Sequence, residues 1–324
     1  MRLKMKTWFL AFAGLIVVAT GAFAEDYPTR PVRLVVGYAP GGATDVIARL
    51  VGQKLTEILK QPFVVENRPG AGSMLATGQV ARTAPDGYTL TINEMGAVTI
   101  TSLLDKSLSF DPITAFTPIA LAAKLPLFLI ANSKTTDFKT IADLVRCAKA
   151  NPGKLNFGSP GIGSPHHVLM EIFCADAGIT VTNIPYKGSS EIVNALLSGQ
   201  VEVALASFAF AGQYAKSGQV NVLGVTSAKR FPGAPDVPAI GEVYKGYDST
   251  PEIGVIAPAG ISPEITTKLA GAIKIAVEDP AIKEKLLKLG FLSAWLSPQD
   301  YAESVRQNRE KYKRAIEAAH ITLQ

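Results

Sequence analysis

Cysteine and histidine are scarce in this chain: two cysteines, Cys147 and Cys174, and three histidines, His166, His167 and His320, among 324 residues. Both cysteines fall in predicted helices and neither reads as catalytic. In an oxidising compartment the pair permits either one disulfide or two buried thiols. Adjacent histidines on a helix point about 100° apart, so His166 and His167 form no metal clamp, and no structural metal is expected. Lysine and arginine are scattered, without a basic stripe interleaved with aromatics, which argues against nucleic acid as a partner. Internal repeats and low-complexity segments are also lacking. Long apolar runs are confined to the N-terminus, where residues 8–19 fall short of the roughly 20 residues a membrane-spanning helix needs.

That run has another reading. Arg2, Lys4 and Lys6 precede it and Ala22-Phe23-Ala24 follows it. A basic region, a short apolar core and an A-x-A site predict a secretory signal peptide, residues 1–24, cleaved after Ala24. No cysteine follows the site, so no lipid anchor is expected. Without the leader, 29 basic residues face 27 acidic ones, and the net charge of +5 falls to about +2. The remaining 300 residues suffice for two domains of ordinary size, exported and soluble.

Along the mature chain, apolar β-branched runs alternate with helical periodicity. Val32–Val36 reads as a strand covered on both faces. From Thr44 the period changes, with Ile47, Leu50, Val51, Leu55 and Ile58 on one helical face. Residues 63–65 and 88–93 read as further strands, separated by a helix reaching Thr83. A parallel α/β sheet follows from that alternation. Strands are also predicted at 125–131, 155–158, 201–206, 220–226 and 253–257, with helices at 138–150 and 191–197 and a long charged helix capped by Ser297 at the C-terminus.

Between the first strand and its helix lies Tyr38-Ala39-Pro40-Gly41-Gly42-Ala43-Thr44-Asp45. Such a turn aims unpaired backbone N–H groups at one point, and the small residues leave room for a carboxylate or phosphate. The alternative is merely a tight strand-to-helix connection. A second loop of the same type, Ser159-Pro160-Gly161-Ile162-Gly163-Ser164, runs into a helix whose start is marked by Ser164 and Pro165 and whose stop is Gly178. A third, Tyr186-Lys187-Gly188, precedes the helix that Gly199 ends. Two anion-ready loops far apart in the chain suggest two lobes closing on a small anionic ligand at the carboxyl ends of strands.

At this point the chain resembles the Bug-type (Bordetella uptake gene) solute receptors of tripartite tricarboxylate transporters. The resemblance covers essentially the whole mature chain. It rests on phrases in a shared order, among them Pro40-Gly41-Gly42-Ala43-Thr44-Asp45, Glu66-Asn67-Arg68-Pro69-Gly70, Ala84-Pro85-Asp86-Gly87-Tyr88, Pro185-Tyr186-Lys187-Gly188 and Ala257-Pro258-Ala259-Gly260. It implies an α/β, type II periplasmic-binding-protein fold of two α/β domains with a ligand cleft between them. Residues 25–122 and 250–324 would form domain 1, and residues 123–249 domain 2. The contact loops would be Tyr38 to Asp45 and Ser159 to Ser164, with Gly161 and Gly163 in the second and His167 at the family's usual histidine position. The implied function is capture of a small carboxylate-bearing organic acid in the periplasm and delivery to membrane permease subunits, by a monomer, without reaction or cofactor.

Three departures bear on the ligand. Glu94 and Met95 stand where the family often has small or hydroxyl residues after the third strand. Ala206, before Ser207 and Phe208, stands near the position where amino-acid-binding members tend to carry aspartate. Tyr38-Ala39 replaces a common second proline. Tyr186, Phe208 and Tyr38 are candidate apolar walls or plain core residues, Lys187 is a candidate charge partner or a solvated side chain, and Glu94 is a cleft residue or an exposed strand end. Asp45 is read chiefly as a helix-start acid that shapes the first loop.

Two rival functions were weighed against the receptor. An exported hydrolase would use Ser159 and His167, but no glycine lies two residues before Ser159, so the nucleophile-elbow pattern fails. A ligand-sensing receptor would address a sensor kinase instead of a permease.

Overall fold

The computed structural model describes residues 27–108 and 110–323, so the predicted leader and its cleavage site lie outside the described residues. The strands are β1 (Val32–Val36), β2 (Phe63–Asn67), β3 (Thr89–Glu94), β4 (Phe116–Lys124), β5 (Phe128–Asn132), β6 (Asn156–Ser159), β7 (Thr182–Pro185), β8 (Val203–Ala206), β9 (Val220–Val225), β10 (Glu252–Pro258) and β11 (Leu292–Ser293). The helices are α1 (Ala43–Leu59), α2 (Met74–Val80), α3 (Met95–Leu104), α4 (Ile141–Ala150), α5 (Pro165–Ala177), α6 (Ser189–Ser198), α7 (Phe208–Lys216), α8 (Ile240–Val243), α9 (Pro263–Glu278), α10 (Pro280–Lys288) and α11 (Pro298–Ala318).

The strands form two sheets, ordered β11-β4-β10-β3-β1-β2 and β7-β6-β8-β5-β9. Both repeat one plan. Three parallel strands (β2-β1-β3 and β7-β6-β8) are followed by an antiparallel strand next to a chain crossing (β10 and β5). The chain leaves the first sheet through Leu125-Pro126-Leu127 and returns between β9 and β10. This is the α/β arrangement in two lobes that the sequence predicts.

Each sheet is covered on both faces, which explains the unbroken apolar strands. In β1, Leu34 and Val36 pack towards α1 and α9, whereas Val35 packs the other way with Met95, Tyr301 and Val305. In β5, Leu129 and Ala131 face α4 and α5, and Phe128 and Ile130 face α6 and α7. Helix α11 serves both cores. Its first turns carry Tyr301 and Val305 into the first, and its last turns carry Tyr312, Ala315 and Ile316 into the second.

Several elements differ from the sequence reading. The predicted strand at 125–131 begins only at Phe128, because residues 125–127 form the crossing that follows β4, and β4, α3 and α7 were not predicted. Helix α3 is apolar on most faces because it packs between the two cores, so it lacks the polar stripe by which a surface helix announces itself. Cys147 and Cys174 are free thiols, the second buried in α5.

Candidate functional site

A cavity of about 420 Å³ opens between the two halves. Tyr38, Gly72, Glu94 and Thr101 line it from the first sheet's side, and Pro160, Gly163, Ser164 and His166 from the second's. A smaller chamber of about 200 Å³ adjoins it and shares His166 as a wall. A larger groove, about 710 Å³, runs along α11 at the crossings. Several of its charges are already engaged: Lys124 Nζ lies 3.5 Å from Asp248 and 3.3 Å from Glu252, Arg306 pairs with Glu303, and Lys311 Nζ donates to the backbone carbonyl of Asp248 at 2.6 Å. The cleft is therefore the candidate site: Tyr38 at the edge of the first predicted loop meets Gly163 and Ser164 of the second there.

The first loop is built around Asp45. Its carboxylate, buried in the first turn of α1, accepts from Gly41 N at 2.9 Å and from Asn67 Nδ2 at 2.8 Å, and pairs with Arg49 at 2.9 Å. Burial alone would raise this carboxyl's pKa. The hydrogen bonds from Arg49, Gly41 and Asn67 outweigh burial and hold it below the ordinary value. Gly41 takes a positive φ of 84°, which glycine tolerates. Gly42 is the N-cap of α1 and offers no side chain, so the helix start is left without a side-chain cap.

The second loop is built around His167. Ser164 Oγ caps α5 by accepting from His167 N at 3.3 Å, and His167 Nδ1 accepts from Gly163 N at 3.1 Å. The imidazole Nε2 lies 3.7 Å from Glu171. Burial pushes His167 down to about 4 and Glu171 up to about 7, so both favour their neutral forms. Ser159 Oγ donates to Gly161 O at 3.1 Å.

Glu94 ends β3 and opens α3. Burial pushes its carboxyl up to about 7. The neighbouring Tyr38 hydroxyl is held protonated by burial and then by the Glu94 charge, and Tyr312 by the same two causes. His166 is pushed down to about 4 by burial and is neutral at pH 7. Among the described residues neither the cleft nor the chamber is lined by lysine or arginine.

Of the predicted residues, Tyr38, Glu94, Gly163 and Ser164 line the cleft and Ser207 lines the chamber. Others stand elsewhere. His167 is turned behind its loop, and its neighbour His166 faces the cavity, because successive residues on a helix diverge by about 100°. Asp45 is committed to its own loop. Ser159 is fully buried and its hydroxyl bonds Gly161, so it is not poised as a nucleophile beside His167. Phe208 packs with Phe128 and Phe231, ring centroids 5.7 and 5.0 Å away, and not as a cleft wall. Tyr186 lies half-buried beside Gly158, and Lys187 is exposed with its N–H bonded to Glu191. Ala39, Pro40, Gly41 and Gly42 are exposed, Ala43 is half-buried, and Thr44 is buried. None of these first-loop residues lines the cavity. Gly161 is open around its Cα, with a positive φ of 115°.

The N–H groups of Gly41 and Gly163, candidate anion donors by sequence, are already engaged by Asp45 and His167. Sequence reasoning also missed Thr101 and Leu104, since α3 carries both. His166 had a signal, its place beside a recognised helix start, but no local rule says which of two adjacent histidines faces a partner lobe. Among the described residues no cluster of three or more His, Cys, Asp or Glu is placed to hold a metal, and no helix is long and apolar enough to cross a membrane.

The profile of the family described as "Tripartite tricarboxylate transporter family receptor" matches residues 47–321. A protein of Cupriavidus necator, "UPF0065 protein in gbd 5'region", is 36% identical over 307 residues, covering 95% of this chain and 93% of its own. Among solved structures, Rpa4515 of R. palustris, described with adipate, is 32% identical with a TM-score of 0.76, over 92% of this chain and 99% of its own. The periplasmic binding protein BugD is 32% identical with a TM-score of 0.72, over 92% and 100%.

Proposed function

Because the chain belongs to the family of tripartite tricarboxylate transporter receptors, we propose that it captures a small carboxylate-bearing organic acid in the cleft between its lobes and hands it to the permease subunits of such a transporter. Capture is noncovalent, takes place in the periplasm and involves no turnover. The observation that carries this reading is the convergence on one cavity of Tyr38 and Glu94 from the first sheet with Gly163, Ser164 and His166 from the second. A ligand held from both sides favours the closed arrangement, because closure alone completes its contacts. The adipate named with Rpa4515 supports a carboxylic acid as the ligand class.

In this reading residues 25–122 and 250–324 form one domain and residues 123–249 the other, with α11 strapping the two cores. Asp45 and His167 are positioning residues that fix the two loops. Ligand contact falls to Tyr38, Glu94, the loop around Gly163 and Ser164, and His166. The exposed backbone of residues 39–43 covers the ligand when the lobes close.

A thermal-shift screen of mono-, di- and tricarboxylates, followed by calorimetry, tests the proposal. A saturable shift with at least one acid, unaccompanied by chemical change of that acid, is expected. Absence of binding across the panel, or turnover of the bound acid, refutes it.

A further inference from the structure

We propose that the ligand is a monocarboxylic acid with an apolar body, and that this body occupies the chamber of about 200 Å³ behind His166. The inference rests on the receptor reading and names its substrate class.

The chamber is bounded by aliphatic side chains from four sources, with Phe210 of α7 beside them. Leu125 and Leu127 come from the crossing, Ile130 from β5, Ile192 and Leu196 from one face of α6, and Ala204 and Ala206 from β8. Its polar side chains are His166 at the shared wall and Ser207, whose hydroxyl is already accepting from Phe210 N as the cap of α7. Burial keeps the imidazole uncharged. Apolar cavities of this order stay dry and take up ring-sized hydrocarbon groups, because water there finds too few partners.

Charge decides the other end of the ligand. Among the described residues the one ionisable carboxyl side chain lining the cleft is Glu94, and neither cavity is lined by lysine or arginine. A second or third carboxylate would meet either a chamber wall that cannot solvate it or Glu94. One carboxylate in the cleft, within reach of the Tyr38 and Thr101 hydroxyls that line it, and one hydrocarbon body match the two environments. Ala206 is small enough to leave the chamber open, whereas an acidic side chain at that position would fill it and change its polarity.

Calorimetry with acetate, butanoate, hexanoate and octanoate, set against succinate, adipate and suberate, tests the inference. Affinity is expected to rise about fourfold for each methylene that enters the chamber, and to fall at least tenfold when the far end of the chain carries a carboxylate. Ala206→Phe and, independently, Val193→Phe on α6 fill the space. Each folded variant should lose at least tenfold in hexanoate affinity while acetate or butanoate affinity changes less than about twofold. Equal binding of mono- and dicarboxylates, or hexanoate affinity unaltered in both variants, overturns the chamber assignment and leaves the receptor reading standing. If none of these acids nor any tricarboxylate binds, both fall together.

Discussion

Replacing Glu94 with Gln is the sharpest perturbation of the cleft. Burial lifts the Glu94 carboxyl to about 7, from an ordinary value of 4.5, so its ionisation falls within the physiological range. An ionised Glu94 repels a carboxylate in the same low-dielectric cavity, and binding therefore selects the protonated form. With that value about ten molecules in eleven are ready at pH 6 and about one in eleven at pH 8. Wild-type affinity for the tightest acid of the screen should fall about tenfold across that interval, with uptake of close to one proton at pH 8. The Glu94→Gln variant should be flat, equal to wild type at pH 6 and about tenfold tighter at pH 8. Calorimetry in two buffers of different ionisation enthalpy reads both affinity and protons. Neighbouring groups do not mimic the slope: His166 titrates near 4, and burial and the Glu94 charge both raise the Tyr38 and Tyr312 hydroxyls. Glu171 also sits at about 7 but lies against His167 behind the second loop, so Glu171→Gln is the control that should keep the slope. The same substitution has a signed effect on stability. A raised carboxyl favours the fold fully below about 4.5, and that advantage is lost as pH rises through about 7, so Glu94→Gln should stabilise the protein at pH 8 by up to about 3 kcal/mol and leave it nearly unchanged at pH 4.5. A wild-type affinity independent of pH, or parallel slopes in wild type and variant, refutes the assignment of Glu94 to the cleft electrostatics.

The loops make three further predictions. Gly163→Val should cost about 2–4 kcal/mol in urea unfolding as well as closing the cleft, because φ there is +72° and a Cβ would stand 2.5 Å from Leu104 Cδ1, whereas Gly41→Ala, at φ +84° with open space around it, should cost only about 1–2 kcal/mol; equal costs would contradict the packing. Asp45→Ala strips acceptors from Gly41 N and Asn67 Nδ2 and leaves Arg49 without its carboxylate, so a loss of about 2–3 kcal/mol is expected together with weaker acid binding, and Asp45→Asn should recover part of it; a neutral alanine variant would sink this account of the loop. Small-angle scattering should show a smaller radius of gyration at saturation with the tightest acid; an unchanged radius, in a protein shown to be open when empty, argues against closure.

Much of this architecture is written locally. The β-branched run of β1, Ser164 and Pro165 at the start of α5, Gly178 and Gly199 at helix ends, and Ser297 before α11 are read from residues within a turn of one another. Their conformations follow from steric limits and from backbone groups that need partners nearby, so short windows suffice. The alternation of such signals was enough to place two α/β lobes and the two loops between strand and helix. Shared phrases along the chain then named the family.

What escaped was decided by partners distant in sequence. Helix α3 has no polar stripe because the two cores enclose it, and the crossing at Pro126 looks like strand because both sides of it are apolar. Asp45 reads from the sequence chiefly as a helix-start acid, and only Asn67, from β2, shows what else claims it. Phe208 reads as either a cleft wall or a core residue until Phe128 and Phe231 close around it. The sequence alone thus determined the kinds of element, their order and the two loops, since each depends on short-range sterics and backbone hydrogen bonding. Only the tertiary structure decided that His166 and not His167 looks into the cleft, and that Asn67 claims Asp45, because facing and long-range hydrogen-bond partnership depend on how separate elements pack against one another.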